Sequence, residues 1–484
     1  MAHDFEQLQA ALNEAVAYHQ TGRVDVAEDR YRAILKVAPD LPVVHNNLAL
    51  ALVAQKQLDE AVTHFKRAIK LDANYLDAYS NLGDAYRHAG KFADAVKSLK
   101  RAQKINPEFV QALGNLGNVY LDMGQPDDAV AAYSRGLELM PDQPDLTYNL
   151  GRAFYDQGRL DDAEAAFRKV LAVHNAHPLA HWNLSHVMLL QGRFREAWVE
   201  YEWRWHCPGF TTPLPKFEQP RWDGKDLGGR TILVYAEQGF GDTIQFCRYL
   251  PKLAATAGRV VMLCQPEVAR LMESVEGVDH VVSNWNHLPP FDTHIPVMSL
   301  PLLMNSYTEA DFPSAVPYLT APAEGAEPVD HEGFKVGLVW AGRETHMGEA
   351  QRSLDPALLK PLTETPGCTF YALQEGARGK ELKKAGLTKT VTDLGAQLAD
   401  FGDTARIIDS LDLVIGVDTA VVHLAGALNK PVWTLLPTVC DWRWMRERED
   451  SPWYPSMRLF RQETRGDWKG VVRRVADALK EAAG

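Results

Sequence analysis

Six alanines, Ala27, Ala61, Ala95, Ala129, Ala163 and Ala197, stand 34 residues apart without a slip. A fixed period of this length means that one supersecondary unit is stacked on copies of itself. In the same register, four residues later, run Tyr31, Phe65, Leu99, Tyr133, Phe167 and Tyr201. Five residues before the alanines stand Gly22, Gly90, Gly124, Gly158 and Gly192, with Lys56 the one exception. The period predicts antiparallel helix pairs. Small residues let two helices approach, the glycine reverses the chain between them, and the large residue fills the gap beside the next repeat.

The segments read Leu-Gly-x-x-Tyr (Leu82, Gly83, Tyr86; Leu116, Gly117, Tyr120), then Ala-x-x-x-aromatic, then a closing Pro (Pro39, Pro107, Pro141). This pattern closely resembles the tetratricopeptide repeat and implies an α-solenoid of six such repeats over residues 8–207. Asn13, Asn47, Asn81, Asn115, Asn149 and Asn183 hold the sixth position of all six repeats. The fifth position (Leu12, Asn46, Ser80, Gly114, Tyr148, Trp182) and the ninth (Val16, Leu50, Asp84, Asn118, Arg152, His186) vary, so simple duplication does not explain the asparagines. The resemblance implies that these six carboxamides line the concave groove. An amide offers both a donor and an acceptor, matched to an extended peptide backbone, so the ladder reads as a track for a polypeptide. The other reading is that each amide bonds the adjacent repeat and braces the stack. The ladder is similar to that of the O-linked N-acetylglucosamine transferases, where it binds the acceptor polypeptide, which implies the same partner here.

All twelve tryptophans lie from Trp182 onward, and the Pro- and Gly-dense stretch 208–229 reads as a linker. Beyond it, the β-rich runs TILV (231–234), VVMLC (260–264), VGLVW (336–340), TFYAL (369–373), LDLVIGV (411–417) and PVWTLL (431–436) alternate with helical patterns. Alternation of this kind predicts parallel sheets with crossover helices. A second break at 321–333 divides the region into two Rossmann-like α/β lobes, 230–325 and 333–484, with a cleft between them. With 51 Lys+Arg against 63 Asp+Glu the net charge is -12, which disfavours nucleic acid and anionic lipid as partners. The acidic start MAHDFEQLQA is unlike a signal peptide, and no apolar run reaches membrane-spanning length, so a cytoplasmic protein with no membrane span is expected. The five cysteines are scattered and have no metal-ligand spacing. They read as buried thiols of a reducing compartment, with no metal and no cofactor expected.

Two motifs carry the candidate chemistry. After the strand TILVYAE come Gln238, Gly239, Phe240, Gly241 and Asp242. Gly239 and Gly241 allow a sharp turn at the carboxyl end of a strand, where open α/β sheets bind ligands. Asp242 either caps the following helix or projects into the cleft and takes a proton from an acceptor hydroxyl. In the second lobe, LDLVIGV ends in Asp418, Thr419 and Ala420, with His423 following and Pro431 closing the helix. Asp418 is expected to begin that helix, with Thr419 and His423 on one face of its first turns. Free N–H groups and the helix dipole there favour a diphosphate. His423 reads either as a hydrogen-bonded core histidine or as a ligand of that diphosphate. Arg343 and Arg352 each read singly as surface residues, but together they can converge on the same phosphates. Gln374, at the end of TFYAL, is a candidate for base recognition. The aromatics of Asp441-Trp442-Arg443-Trp444 and Trp453-Tyr454-Pro455 either stack on a base or sugar or plug the core between the lobes.

The motifs GFGDTIQF, GLVWAG...RSL and DTAVVHLAGAL-x-x-PV together resemble the heptosyltransferase-like glycosyltransferases of GT-B fold, coupled to tetratricopeptide repeats. The resemblance covers nearly the whole chain. It implies a nucleotide-sugar donor bound through Thr419, Ala420 and His423, with Asp242 at the position of the catalytic base and inversion at the anomeric carbon. The chain has no Asp-x-Asp triplet, so helix dipole and arginines stand where a metal would. The expected function is sugar transfer to a polypeptide Ser or Thr held by the repeats. The alternatives are transfer to a glycan or lipid precursor, and a non-catalytic scaffold with a vestigial nucleotide-binding fold.

Overall fold

The structure, a computed structural model, describes residues 2–342 and 352–484. It divides into two compact units, Met1–Ala180 and His181–Gly484. That division falls ahead of the 208–229 stretch where the linker was expected.

The first unit is helical. α1 (Ala2–Gln20) pairs with α2 (Val24–Val37), α3 (Pro42–Ala54) with α4 (Leu58–Leu71), and α5 (Leu76–His88) with α6 (Phe92–Ile105). The series continues with α7 (Val110–Asp122) and α8 (Pro126–Leu139), then α9 (Pro144–Asp156) and α10 (Leu160–Val173). In chain order α11 (Pro178–Leu190) and α12 (Phe194–Tyr201) follow, making twelve helices to that point among the described residues. All six periodic alanines are fully buried, and the large residues four positions later are almost so. The contact that sets the period is short. A Cβ added to Gly117 would stand 2.4 Å from the Tyr133 ring, and one on Gly83 would stand 2.5 Å from Leu99. The first helix of a pair therefore lies directly against the large residue of the second.

The chain reversals also follow the register. Gly22, Gly90, Gly124, Gly158 and Gly192 take φ between 70° and 79°, and Lys56, in place of the sixth glycine, takes φ 63°. The exception in sequence is thus no exception in backbone. Lys56 bears the steric cost of a left-handed conformation that the glycines avoid.

The second unit holds two fully parallel sheets. The first, of order β3-β2-β1-β4, contains β1 (Thr231–Tyr235), β2 (Arg259–Leu263), β3 (His280–Val282) and β4 (Thr293–Pro296). The second has the order β10-β9-β8-β5-β6-β7. Its strands are β5 (Phe334–Val339), β6 (Cys368–Ala372), β7 (Val391–Asp393), β8 (Leu413–Val417), β9 (Val432–Leu436) and β10 (Met457–Arg461). β8 is buried along its whole length, as a central parallel strand covered on both faces must be. Its core joins Val336, Leu338, Ile415 and Leu435 to Val471, Val475 and Leu479 of the C-terminal helix Trp468–Ala482.

All six expected strands are present, displaced by one or two residues at their ends. The sequence reading missed β3, β4, β7 and β10. Two of these have only three residues, and the others carry His294 with Pro296, or Arg458 with Arg461, which break an apolar run. Residues 208–229 are no free tether. Trp222 N–H donates to His294 O at 2.9 Å, and Leu227 is fully buried. The 321–333 break holds neither helix nor strand. Among the described residues, no helix is long and apolar enough to cross a membrane, and no three metal-ligating side chains cluster.

Candidate active site

After β1 the chain reverses at Gln238, with φ 60°, while Gly239 is extended at φ -93°. The sharp turn expected of the glycines is therefore carried by a glutamine. Its N–H donates to Thr212 Oγ1 at 2.9 Å and its carbonyl accepts from Gln265 Nε2 at 3.3 Å, which holds the strained residue in place. Gly241 marks a close approach instead. A Cβ there would lie 3.0 Å from His423 Cδ2 and 3.7 Å from Ala420 Cα. α13 (Phe240–Phe246), which follows the first sheet's β1, thus crosses the helix Ala420–Ala427 of the second lobe at the N-terminal ends of both.

Asp242 stands in the first turn of α13. Its Oδ2 accepts from Gly239 N at 2.8 Å and its Oδ1 from Arg443 Nη2 at 2.5 Å. The side chain is 16% exposed. The capping bond is therefore made through one oxygen, while the other faces Arg443.

Across from it, β8 ends at Val417, Thr419 is the N-cap, and Ala420 is the first helical residue. The helix starts two residues later than expected, so Asp418 precedes it. The Thr419 side chain does not cap: its Oγ1 is buried and has no partner among the described residues. His423, 5% exposed, lies with Nδ1 2.8 Å from Tyr454 Oη, stacks on Trp444, and has Nε2 3.9 Å from Asp418 Oδ1. Burial, reinforced by Arg443, lowers His423 to about 3, so the imidazole is neutral at ordinary pH. Burial and the neighbouring Asp441 raise Asp418 to about 6, against the pull of Arg352.

Three arginines act electrostatically on His423, namely Arg443, Arg248 and Arg352. Arg443 also donates from Nη1 to Asp441 Oδ1 at 2.9 Å and from Nε to Gln245 Oε1 at 2.5 Å. Burial alone would push the Asp441 carboxyl up, but Arg443 outweighs it and holds Asp441 below its ordinary value. Arg248 is 2% exposed and is held by neutral groups, the carbonyls of Gln245 and Trp453 and the Tyr318 hydroxyl, with the Tyr318 and Tyr454 rings beside it. Arg343 lies outside the described residues. Gln374 is buried and its Oε1 accepts from Ala341 N at 3.1 Å, which ties the end of β6 to the end of β5. Trp442, Trp444 and Trp453 are at most 1% exposed, so they plug the core rather than offer a stacking face.

In the repeats, Asn81 Nδ2 donates to Asn46 Oδ1 at 3.0 Å and Asn115 Nδ2 to Ser80 Oγ at 3.0 Å. Both partners sit at the fifth position of the preceding repeat. Asn13 accepts from Gln9 at 3.0 Å, and Asn47 accepts from Asn46 at 3.3 Å. Asn13 is exposed, while Asn47, Asn81, Asn115, Asn149 and Asn183 are half-buried.

Sequence reasoning passed over Arg443 and Arg248 as site residues. The signal for Arg248 was present, since a charge inside the apolar run Phe246-Cys247-Arg248-Tyr249-Leu250 must find partners when that run is buried. Arg443 was masked by the tryptophans on either side of it.

Comparison with known proteins finds matches in two stretches of the chain. Tetratricopeptide repeat families match residues 49–87, 83–124, 114–176 and 148–202, and glycosyltransferase family 9 (heptosyltransferase) matches residues 372–460. The chain joins tetratricopeptide repeats to a family 9 glycosyltransferase domain. It is 30% identical to Protein FlbA of Caulobacter vibrioides over 60% of this chain and 52% of that one, so it spans about half the length of that relative. Among solved structures it is similar to a thermophilic tetratricopeptide repeat protein of Thermus thermophilus, with 26% identity over 38% of this chain and 99% of the other, at a TM-score of 0.34. The glycosyltransferase family match contains Gln374, Asp418, Thr419, Ala420, His423 and Arg443. Asp242 and Arg352 fall outside it.

Proposed function

We propose that the protein transfers a sugar from a nucleotide-sugar donor to an acceptor hydroxyl, its two α/β lobes forming a GT-B fold that follows six repeats in the chain. The observation that carries this reading is the helix crossing at which Gly241, next to Asp242, closes on His423. In the proposed step the Asp242 carboxylate takes the acceptor hydroxyl's proton as the oxygen bonds to the anomeric carbon. The bond from that carbon to the diphosphate oxygen breaks on the opposite face, its electron pair leaving with the nucleoside diphosphate, and the configuration inverts. The leaving group meets the N-terminus of the helix Ala420–Ala427, the Thr419 hydroxyl, the Ala420 N–H, and Arg343 with Arg352, in place of a metal. His423 contributes a hydrogen bond rather than a charge. Asp418 sits ahead of the helix start, and Gln374 would read the base.

The acceptor in this reading is a polypeptide Ser or Thr, its backbone held by Asn13, Asn47, Asn81, Asn115, Asn149 and Asn183, and the reaction runs in the cytoplasm. The bonds from Asn81 to Asn46 and from Asn115 to Ser80 favour a second reading of the repeats. In it the amides brace the stack, and the acceptor is a glycan or lipid precursor. Replacing Asn81, Asn115 and Asn149 by Ala separates the two, since transfer to protein that survives unchanged removes the groove as acceptor site.

The donor is found by thermal unfolding against UDP, ADP, GDP, CMP and their sugar conjugates. Tryptophan fluorescence reads only residues 181–484, where all twelve tryptophans lie. A ligand at a hundred times its Kd stabilises by about 2.7 kcal/mol. With the donor in hand, Asp242→Asn is expected to lower turnover by about 10² to 10⁴ and to leave the ligand-induced shift intact. No shift with any of these ligands, or an Asn variant that turns over like the parent, would sink the proposal.

A further inference from the structure

Arg443 is built into the site differently from a phosphate ligand. Three of its N–H bonds already point at protein acceptors, and two of those acceptors are carboxylates, Asp441 and Asp242, which leave it no net positive charge to offer. On its own side it is anchored by Asp441 Oδ1, which also accepts from Arg443 N at 3.0 Å, and by the Trp442 ring, 4.3 Å below the guanidinium. On the far side it reaches two residues of α13 in the opposite lobe, three positions apart and so on one helix face. Nη2 goes to Asp242 and Nε to Gln245. The Gln245 side chain is fully buried, and its Nε2 has no partner among the described residues, so its amide is turned to suit Arg443 at a cost.

We infer that Arg443 is a positioning residue for the Asp242 carboxylate, supplied by the donor lobe, so that the proton acceptor is oriented only while the two lobes are in contact. The inference rests on the proposed role of Asp242 and deepens it. Gly239 N holds Oδ2 and Arg443 holds Oδ1, so the carboxylate plane is fixed at both ends. A carboxylate held at both oxygens keeps one orientation, which is the condition for efficient proton transfer. Without Arg443 the Oδ1 end of the carboxylate loses the charged partner that the opposite lobe supplies. The planar fork of an arginine spans both α13 residues at once, which a lysine's single ammonium cannot do.

The test is steady-state nucleotide release from the sugar nucleotide that stabilises the parent protein, using full-length Arg443→Met, Arg443→Lys and Gln245→Ala. For Arg443→Met, kcat is expected to fall on the order of 100-fold with the donor KM within about twofold of the parent. Arg443→Lys is expected to recover part of that loss, and Gln245→Ala, which keeps the charge but removes one point of the grip, to lose less. Should the Met variant not fold, the Lys and Ala variants decide the matter alone. Parental kcat in every variant that folds, or a raised donor KM with kcat intact, would overturn the positioning role. Failure of the parent reading looks different. If Asp242→Asn turns over normally, or the parent releases no nucleotide from any conjugate, the proposed function falls and takes this inference with it. An inactive Asp242→Asn beside a fully active Arg443→Met would overturn the inference alone.

Discussion

Both units bring helices together at small residues, but they reach along the chain by very different distances. In the repeat unit Gly83 meets Leu99 and Gly117 meets Tyr133, each contact made inside one helix pair and copied in the next. In the α/β unit Gly241 meets His423, and Asp242 meets Arg443, some two hundred residues on. A contact that recurs at a fixed short interval leaves a period that can be read directly from sequence. One that is made once, across two lobes, leaves only isolated residues whose partners are unknown until the fold is seen.

The largest effect is expected where a charge has been buried once and for all. Arg204 and Glu237 are both fully buried and paired through Nε and Nη2 at 2.7 and 2.8 Å. Arg204→Met leaves the carboxylate stranded, and urea unfolding followed by tryptophan fluorescence should show a loss of about 3–5 kcal/mol. A loss below about 1 kcal/mol would mean that Glu237 is neutral in the folded protein, in keeping with burial raising it.

A smaller effect is expected in the repeats. Gly117→Ala puts a methyl group against the Tyr133 ring and should cost about 1–3 kcal/mol. Because no tryptophan lies before Trp182, this loss should move the far-UV dichroism transition and leave the fluorescence transition in place. If both transitions moved together, the two units would be one cooperative body and the contrast between them would fail. The smallest effect runs the other way. Lys56→Gly removes a side chain from a left-handed position and should stabilise the repeats by roughly 1 kcal/mol or less. A destabilised variant would show that the Lys56 side chain earns its strained backbone through contacts of its own.

Legibility follows the same division. The helix pairs, their turns and their buried alanines were readable because position alone defines them, and even the Lys56 exception obeyed the register. The six strands found from sequence are those buried as continuous apolar runs, while β4 and β10 were hidden by His294, Pro296, Arg458 and Arg461. In the site, the two glycine-bearing motifs were legible, but the reason for Gly241 was not. It depends on where His423 arrives, which no local pattern states. The turn was assigned to Gly239 and Gly241 because glycine takes left-handed backbone most easily. Tertiary bonds from Thr212 and Gln265 instead hold Gln238 there. Arg443 was unreadable because its meaning lies wholly in what it touches on the opposite lobe.

The strand order of the second sheet has a consequence in time. β5 sits in the middle of its sheet, with Val336 paired to Leu413 on one side and to Phe370 on the other. As the chain is synthesised, each helix pair of the repeats can close as soon as it is complete, since its partners are already made. β5 must wait, exposed along one edge, until Leu413 and the rest of β8 have emerged. For that interval the newborn chain carries a finished helical portion ahead of an unfinished and adhesive sheet.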